Sequence, residues 1–374
     1  MGDIGLTHDD SNVILTPPGI QISIDRGGTF TDVHASVPGQ DDIILKVLSV
    51  DPSNYQDAPT EGIRQILEIV SNKPHPRGQP LDTKLIERIR MGTTVGTNAL
   101  LERKGARSAL LITKGFKDLL TISNQARPNI FDLTVSRPEL LYQSVVEVDE
   151  RITLEDYAED PFSTFTDVTG DKDLHLGLSG EVVRVLKTPD LKAVKKSLES
   201  LWEEGFRSLA VVLLHSYLYP EHERQVGSLA KSMGFSVVES ASLQPMIKVV
   251  PRGMSATADA YLTPIIQSYI QSISDNFKGG LGSGDLRCEF MQSDGGLVDF
   301  RGFGGLKSIL SGPAGGVVGY AQTAWDEQQK KAVIGFDMGG TSTDCSRFAG
   351  TYEHVFETVT AGIAIQSPQL DIIT

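Results

Sequence analysis

An eight-residue pattern, Asp-x-Gly-Gly-Thr-x-Thr-Asp, occurs twice in this chain. The first copy is Asp25-Arg26-Gly27-Gly28-Thr29-Phe30-Thr31-Asp32 and the second is Asp337-Met338-Gly339-Gly340-Thr341-Ser342-Thr343-Asp344. A short apolar run precedes each, Ile20 to Ile24 in one and Ala332 to Phe336 in the other. Glycine has no Cβ, so backbone N–H groups at the Gly-Gly pair can close on an anion. The threonine hydroxyls of Thr29, Thr31, Thr341 and Thr343 add donors. Carboxylates repel phosphate, so Asp25, Asp32, Asp337 and Asp344 make sense as ligands, through water, of a Mg²⁺ that bridges phosphate oxygens. The pattern therefore points to a polyphosphate held with Mg²⁺. The bland alternative is two ordinary hairpins with polar tips, and the second copy weighs against it.

Elements must hold these tips. Each apolar run reads as a buried strand and each Gly-Gly as a tight turn. Thr31 to Ser36 and Ile43 to Val47 complete a three-stranded meander with the first tip at its first turn. Asp57 to Ser71 reads as a helix with Ile63, Ile66, Leu67 and Val70 on one face. A second helix is expected from about Asp82 to Ile89. Leu110 to Thr113 is a buried strand, followed by a short helix from Gly115 to Ile122. Asp156 to Gly180 is acidic and irregular, as in a loop. Asp190 to Gly205, Glu221 to Met233 and Ser255 to Ser274 are helical, and Leu209 to Leu214, Ser236 to Val238 and Cys288 to Met291 are strands. Helix alternating with apolar strand is the grammar of an α/β protein.

Other stretches carry polar groups in places where ligands bind. Gly92-Thr93-Thr94-Val95-Gly96-Thr97-Asn98 is hydroxyl-rich and could cap a helix or present donors to a ligand. Arg127 sits in a loop and suits a carboxylate or phosphate clamp; an exposed turn is the alternative. Glu147, Asp149 and Arg151 alternate along one strand face, either for metal or base chemistry or as a solvated face. His215 stands at the C-terminal end of a strand, a minor candidate. Ser311-Gly312-Pro313-Ala314-Gly315-Gly316 opens the apolar helix Val317 to Trp325, and a Gly-rich helix N-terminus attracts anions. Gly279 to Gly284 lacks nucleotide-loop spacing and reads as a surface turn.

Composition narrows the class. The chain has 374 residues, 40% hydrophobic and 22% charged, enough for two domains with their own cores. A formal net charge of −14 argues against a nucleic-acid or anionic-membrane surface. Two cysteines, Cys288 and Cys345, form no disulfide framework and suit a reducing, cytoplasmic home. No apolar run reaches a membrane span, and residues 1–19 read as a flexible lead-in.

The paired tips resemble the two phosphate loops of the actin/hexokinase-like ATPase superfamily. Their wording is closest to the hydantoinase/5-oxoprolinase family. Arg90 to Gly105, Asn124 to Pro128, Val148 to Arg151, Leu214 to Tyr217, Gln292 to Gly296 and Ser311 to Gly316 resemble that family as well. The resemblance implies an α/β fold of actin-like (ribonuclease H-like) lobes, the second incomplete: a domain over 20–235 and a partial one over 236–374. It implies ATP-dependent hydrolysis of a cyclic amide, 5-oxo-L-proline to L-glutamate, through a phosphorylated lactam. ATP and Mg²⁺ are the implied cofactors, a small cyclic amide the partner, and a homo-oligomer the assembly at full length. Gly27, Gly28, Thr29, Thr31, Gly339, Gly340, Thr341 and Thr343, with Thr93 and Thr94, would meet phosphates. Asp25, Asp337 and Arg127 would act on the reacting groups. A hydantoinase or a ketone carboxylase subunit would share these motifs. A non-catalytic remnant also stays open, since the resemblance implies that further lobe segments should follow Thr374.

Overall fold

The computed structural model describes residues 19–123, 131, 134, 140–155, 166–284, 286–339 and 342–374. The chain opens with the expected meander, β1 (Ile20–Arg26), β2 (Phe30–Ser36) and β3 (Ile43–Leu48), antiparallel throughout. Strict alternation sends Ile20, Ile22, Ile24, Val33 and Ala35 into one core and leaves Ser23, Asp25, Asp32 and His34 on the opposite face. Helix α1 (Ala58–Ser71) covers the core face. Asp57 caps it, accepting from Thr60 N at 2.8 Å, and Ile63, Ile66 and Leu67 pack inward.

Residues expected as a helix near 82–89 instead belong to β4 (Ile86–Thr93), parallel to β1. Ile86 and Ile89 are three apart, a helical spacing. The register shifts opposite Ile20/Gln21, so the strand gains a residue and Ile86, Ile89 and Met91 all reach the core. The irregularity imitates a helix in the pattern of apolar residues.

Helix α2 (Val95–Leu101) follows at once, then β5 (Ser108–Thr113) and a single turn α3 (Leu119–Ile122), shorter than expected. The alternating stretch near 145–152 is not one strand. It divides into β6 (Ser144–Val148) and β7 (Arg151–Leu154), which join different sheets. Strand β8 (Leu174–Leu176) lies in the stretch read as a loop and pairs with β9 (Val182–Lys187). Helix α4 (Leu191–Glu203), β10 (Ser208–Val212), α5 (Glu221–Ser232) and β11 (Ser236–Glu239) complete a four-stranded parallel sheet in the order β11-β10-β5-β6.

A short α6 (Ser240–Leu243) leads to α7 (Val249–Ser274), a helix of 26 residues that begins earlier than its sequence signal and includes Pro251-Arg252-Gly253. It is apolar on several sides and feeds three separate cores through Ile266, Tyr261 and Ala260. Strand β12 (Arg287–Met291) then inserts parallel to β4, and β13 (Leu297–Asp299) pairs back on it. The first sheet thus has six strands in the order β13-β12-β4-β1-β2-β3, drawn from both sides of residue 236. After the one-turn α8 (Gly305–Ser308), α9 (Ser311–Thr323) crosses towards β14 (Val333–Met338) and β15 (Thr343–Phe348). Strands β16 (His354–Thr360) and β17 (Ile363–Leu370) form a hairpin, and β18 (Ile372–Ile373) pairs with β15. No helix among the described residues is long and apolar enough to cross a membrane.

Candidate active site

The two repeats form equivalent hairpins. Gly27 N donates to Phe30 O at 3.0 Å, and Gly339 N donates to Ser342 O at 3.0 Å, so each tip closes across two residues. Neither Gly27 nor Gly339 is left-handed. At Gly27 the reason for glycine is proximity, since a Cβ there would stand 3.0 Å from Phe30 O. The first tip is braced from below: Ser49 Oγ donates to Gly27 O at 2.7 Å, and Ser49 N donates to Thr29 O at 2.9 Å.

At the base of each hairpin, two aspartates are direct cross-strand partners: Asp25 opposite Asp32, and Asp337 opposite Asp344. Like charges opposite one another destabilise a sheet, and here the arrangement occurs twice. Both pairs line one cavity of about 320 Å³, together with Gly28, Thr29, Thr94, Asn98, Gly312 and Ser342. Asp25 is accessible from the cavity, which limits the effect of burial on it. Its dense surroundings nevertheless lead the causes that push its pKa up to about 6, with Asp32 and then Asp337 acting in the same direction. Lys46, the cross-strand partner of Asp32 on β3, partly offsets this and holds Asp32 at 2.8 Å.

Helix α9 aims its first turn at the same cavity, and Gly312 and Pro313 form part of the wall. The residue before the helix, Leu310, supplies no side-chain cap, so the first-turn amides suit an anion. The loop from Thr93 to Thr97 is pinned to this region. Thr93 N donates to Ser311 Oγ at 3.2 Å, Thr97 Oγ1 donates to Ile309 O, and Thr94 N donates to Arg26 O at 3.1 Å.

Asp344 offers an acceptor to a cation. Its Oδ2 accepts from Ser342 Oγ at 3.1 Å, while its buried Oδ1 has no hydrogen-bond partner among the described residues. Among the described residues, no three His, Cys, Asp or Glu side chains cluster tightly enough to hold a metal by themselves. The four aspartates lining the cavity are oxygen donors, which suit Mg²⁺ that keeps waters and shares phosphate oxygens. Asp25, Asp32, Asp337 and Asp344 would hold it from the two hairpins.

Thr31, Thr93 and Thr343 do not line this cavity. Thr31 is fully buried on the core face and hydrogen-bonds Ser49 Oγ at 2.9 Å. Thr93 is likewise buried, and its Oγ1 accepts from Val95 N at 3.2 Å. Thr343 is exposed opposite Met338 and does not line the cavity. These threonines shape the loops, because strand alternation turns them away from the side that the aspartates occupy. Arg127, Gly340 and Thr341 lie outside the described residues. Lys46 is a cavity residue that motif reading misses, whereas Asn98 closes the hydroxyl-rich stretch that begins at Gly92. The predicted meander was a signal for Lys46, but only the register set it beside Asp32.

The remaining candidates stand outside this cavity. Glu147 accepts from Gly115 N at 2.7 Å, Asp149 pairs with Lys187 at 2.6 Å, and Arg151 covers the Phe116 ring. His215 sits in a left-handed turn after β10, away from the cavity, and burial, then the nearby Arg252, lower its pKa.

A family description, "Hydantoinase/oxoprolinase N-terminal region", matches residues 21–234, and a second, "Hydantoinase/oxoprolinase", matches residues 252–374. The 5-oxoprolinase of Saccharomyces cerevisiae is 54% identical over 361 residues, 95% of this chain and 28% of that protein. 5-Oxoprolinase 1 of Arabidopsis thaliana is 55% identical over 359 residues, 95% of this chain and 27% of its own length. The chain therefore spans under a third of these relatives. Acetone carboxylase, in a nucleotide-free structure, superposes with a TM-score of 0.70 at 20% identity, over 94% of this chain and 47% of that one. The ATP-dependent caprolactamase from Pseudomonas jessenii gives 0.68 at 23% identity, over 95% and 47%. At these identities the likeness establishes the α/β fold alone. From the sequence matches, the chain belongs to the hydantoinase/oxoprolinase family.

Proposed function

We propose that this chain carries the nucleotide-using part of an ATP-dependent cyclic amidase that converts 5-oxo-L-proline to L-glutamate. The observation that carries the reading is the pair of Asp–Asp hairpins facing one cavity, with a helix N-terminus as its third wall. Two repulsive carboxylate pairs are a poor way to build a surface and a good way to recruit a cation with its phosphates. The high identity to 5-oxoprolinases supports the choice of ring substrate.

When bound, Mg·ATP would supply a phosphoryl group to the amide oxygen, which opens a stable amide to water. The residues would do the rest by position and charge. Gly28 and Thr29, the first turn of α9, and Thr94 with Asn98 would hold phosphate oxygens on three sides. Asp337 and Asp344 would fix the metal from one hairpin, and Lys46 would keep Asp32 oriented on the other. Asp25, which lines the cavity beside Asp32, would orient the attacking water.

ADP release measured at saturating Mg²⁺, with and without 5-oxo-L-proline, tests this. Stimulation by the ring is expected, and it should disappear in Asp25→Asn and Asp337→Asn. Stimulation by a hydantoin and not by 5-oxo-L-proline would move the chain to another ring substrate. Unchanged ATP turnover in both variants would remove the site assignment.

A further inference from the structure

The free face of the first sheet continues below the aspartates. Strand pairing orders it in two rows. The upper row is Lys46, Asp32, Asp25 and Gly92 across β3, β2, β1 and β4; the row below it is Ile44, His34, Ser23, Arg90 and Glu289, ending on β12. Rows two residues apart are about 7 Å apart along the strands. A second cavity of about 750 Å³ lies over both rows, between the sheet and α9, and shares Asp25 and Asp32 with the first. It therefore opens onto the same carboxylates from the other side.

Its walls divide by chemistry. Met291, Leu297 and Val318 provide an apolar side, and Arg90, His34 and Ser23 provide donors from one row. Arg90 commits only its Nε to Glu289, at 3.3 Å, among the described residues. Two glycines of α9 face the space without a packing reason. A Cβ on Gly316 would meet nothing within 4 Å, and one on Gly315 only Met291 Cγ at 4.0 Å. Glycine weakens a helix interior, so its presence on this wall keeps volume open. Beside Asp25 the space is tight: a Cβ on Gly92 would stand 3.2 Å from Asp25 Oδ1.

We propose that this second cavity takes the ring of a small, carboxylate-bearing cyclic amide. Its carboxylate would lie on the Arg90 fork, its ring against Met291 and Val318, and its amide carbonyl towards Asp25. The row spacing matches that demand, because one end of a five- or six-atom ligand can meet Arg90 while the other meets Asp25. The assignment rests on the amidase reading above and adds where the ring sits and why a carboxylate is selected.

Calorimetric titration of the full chain tests it, with 5-oxo-L-proline and with 2-pyrrolidinone, the same ring without a carboxylate. A non-hydrolysable ATP analogue is titrated in parallel. The native chain should prefer 5-oxo-L-proline by about tenfold or more, as expected for a bidentate Arg–carboxylate contact. Arg90→Ala should erase that preference, Arg90→Lys should restore part of it, and Gly316→Leu should weaken both rings. Retention of the preference in Arg90→Ala, or normal ring binding in Gly316→Leu, would overturn the proposal. So would a native chain that binds the analogue but neither ring, an outcome that leaves the nucleotide site standing. Loss of rings and analogue together in both variants would also overturn it, since the cavity would then have no specificity of its own. A native chain that binds no nucleotide would remove the amidase reading itself.

Discussion

Asp25 is the residue at which charge, strand pairing and chemistry meet. Its carboxyl would titrate near 3.8 when unfolded and titrates near 6 in the folded chain, so folding favours its protonated form. Stability should therefore fall as pH rises from about 4 to 6 and stay at the lower level above that. Asp25→Asn should raise the melting temperature at pH 7.5 by roughly 1–3 °C, a modest figure because the carboxyl is accessible. The gain should vanish near pH 4, and an equal gain at both pH values would contradict the raised pKa. The same variant should lose ATP turnover by about a hundredfold or more. A contrasting carboxylate is Glu150, buried with His222 Nδ1 at 2.7 Å and accepting also from Thr113 Oγ1. Glu150→Ala should cost about 3 kcal/mol in denaturant unfolding, and Glu150→Gln clearly less, because the amide still accepts one of those bonds.

Among the elements, α2 and α9 decide whether the hairpins become a site. Helix α2 packs so closely on α8 that a Cβ on Gly96 would stand 2.2 Å from Ser308 Oγ. Gly96→Ala should push α2 outward and carry Thr94 and Asn98 from the cavity wall. A loss of about 1–3 kcal/mol in stability is expected, together with weaker binding of the ATP analogue by calorimetry. Destabilisation with unaltered nucleotide affinity would show that α2 only packs. A comparable contact joins α9 to the second hairpin, where a Cβ on Gly335 would meet Tyr320 Cε1 at 2.1 Å. Most elements were legible because one face of each is buried: α1 announces itself by its cap and its apolar stripe. Strand β4 was not, because its bulge gives apolar residues a three-residue spacing, and the division between β6 and β7 was hidden by continuous alternation.

At the scale of the whole molecule, α7 ties the cores together while the second hairpin region leaves apolar surface open. Ile334, Phe336 and Met338 are 68–73% exposed on β14, Ile373 is exposed on β18 of the same sheet, and Phe356 and Val359 are exposed on β16. Such a patch promotes association. The 374-residue chain should show concentration-dependent growth in light scattering, and Phe336→Lys should reduce it without lowering the melting temperature. Monodisperse behaviour up to high concentration would mean that this surface is harmless.

The amino-acid sequence by itself determined the chemistry: two copies of one motif, its glycines and carboxylates, the flanking strands and the family. Those follow from residue type and short-range periodicity, which are local. Which threonine lines the cavity, which lysine attends Asp32, and how Arg90 comes to lie below Asp25 are questions of register between strands far apart in the chain. Only the tertiary structure decided them, because a one-residue change of register turns every side chain to the opposite face.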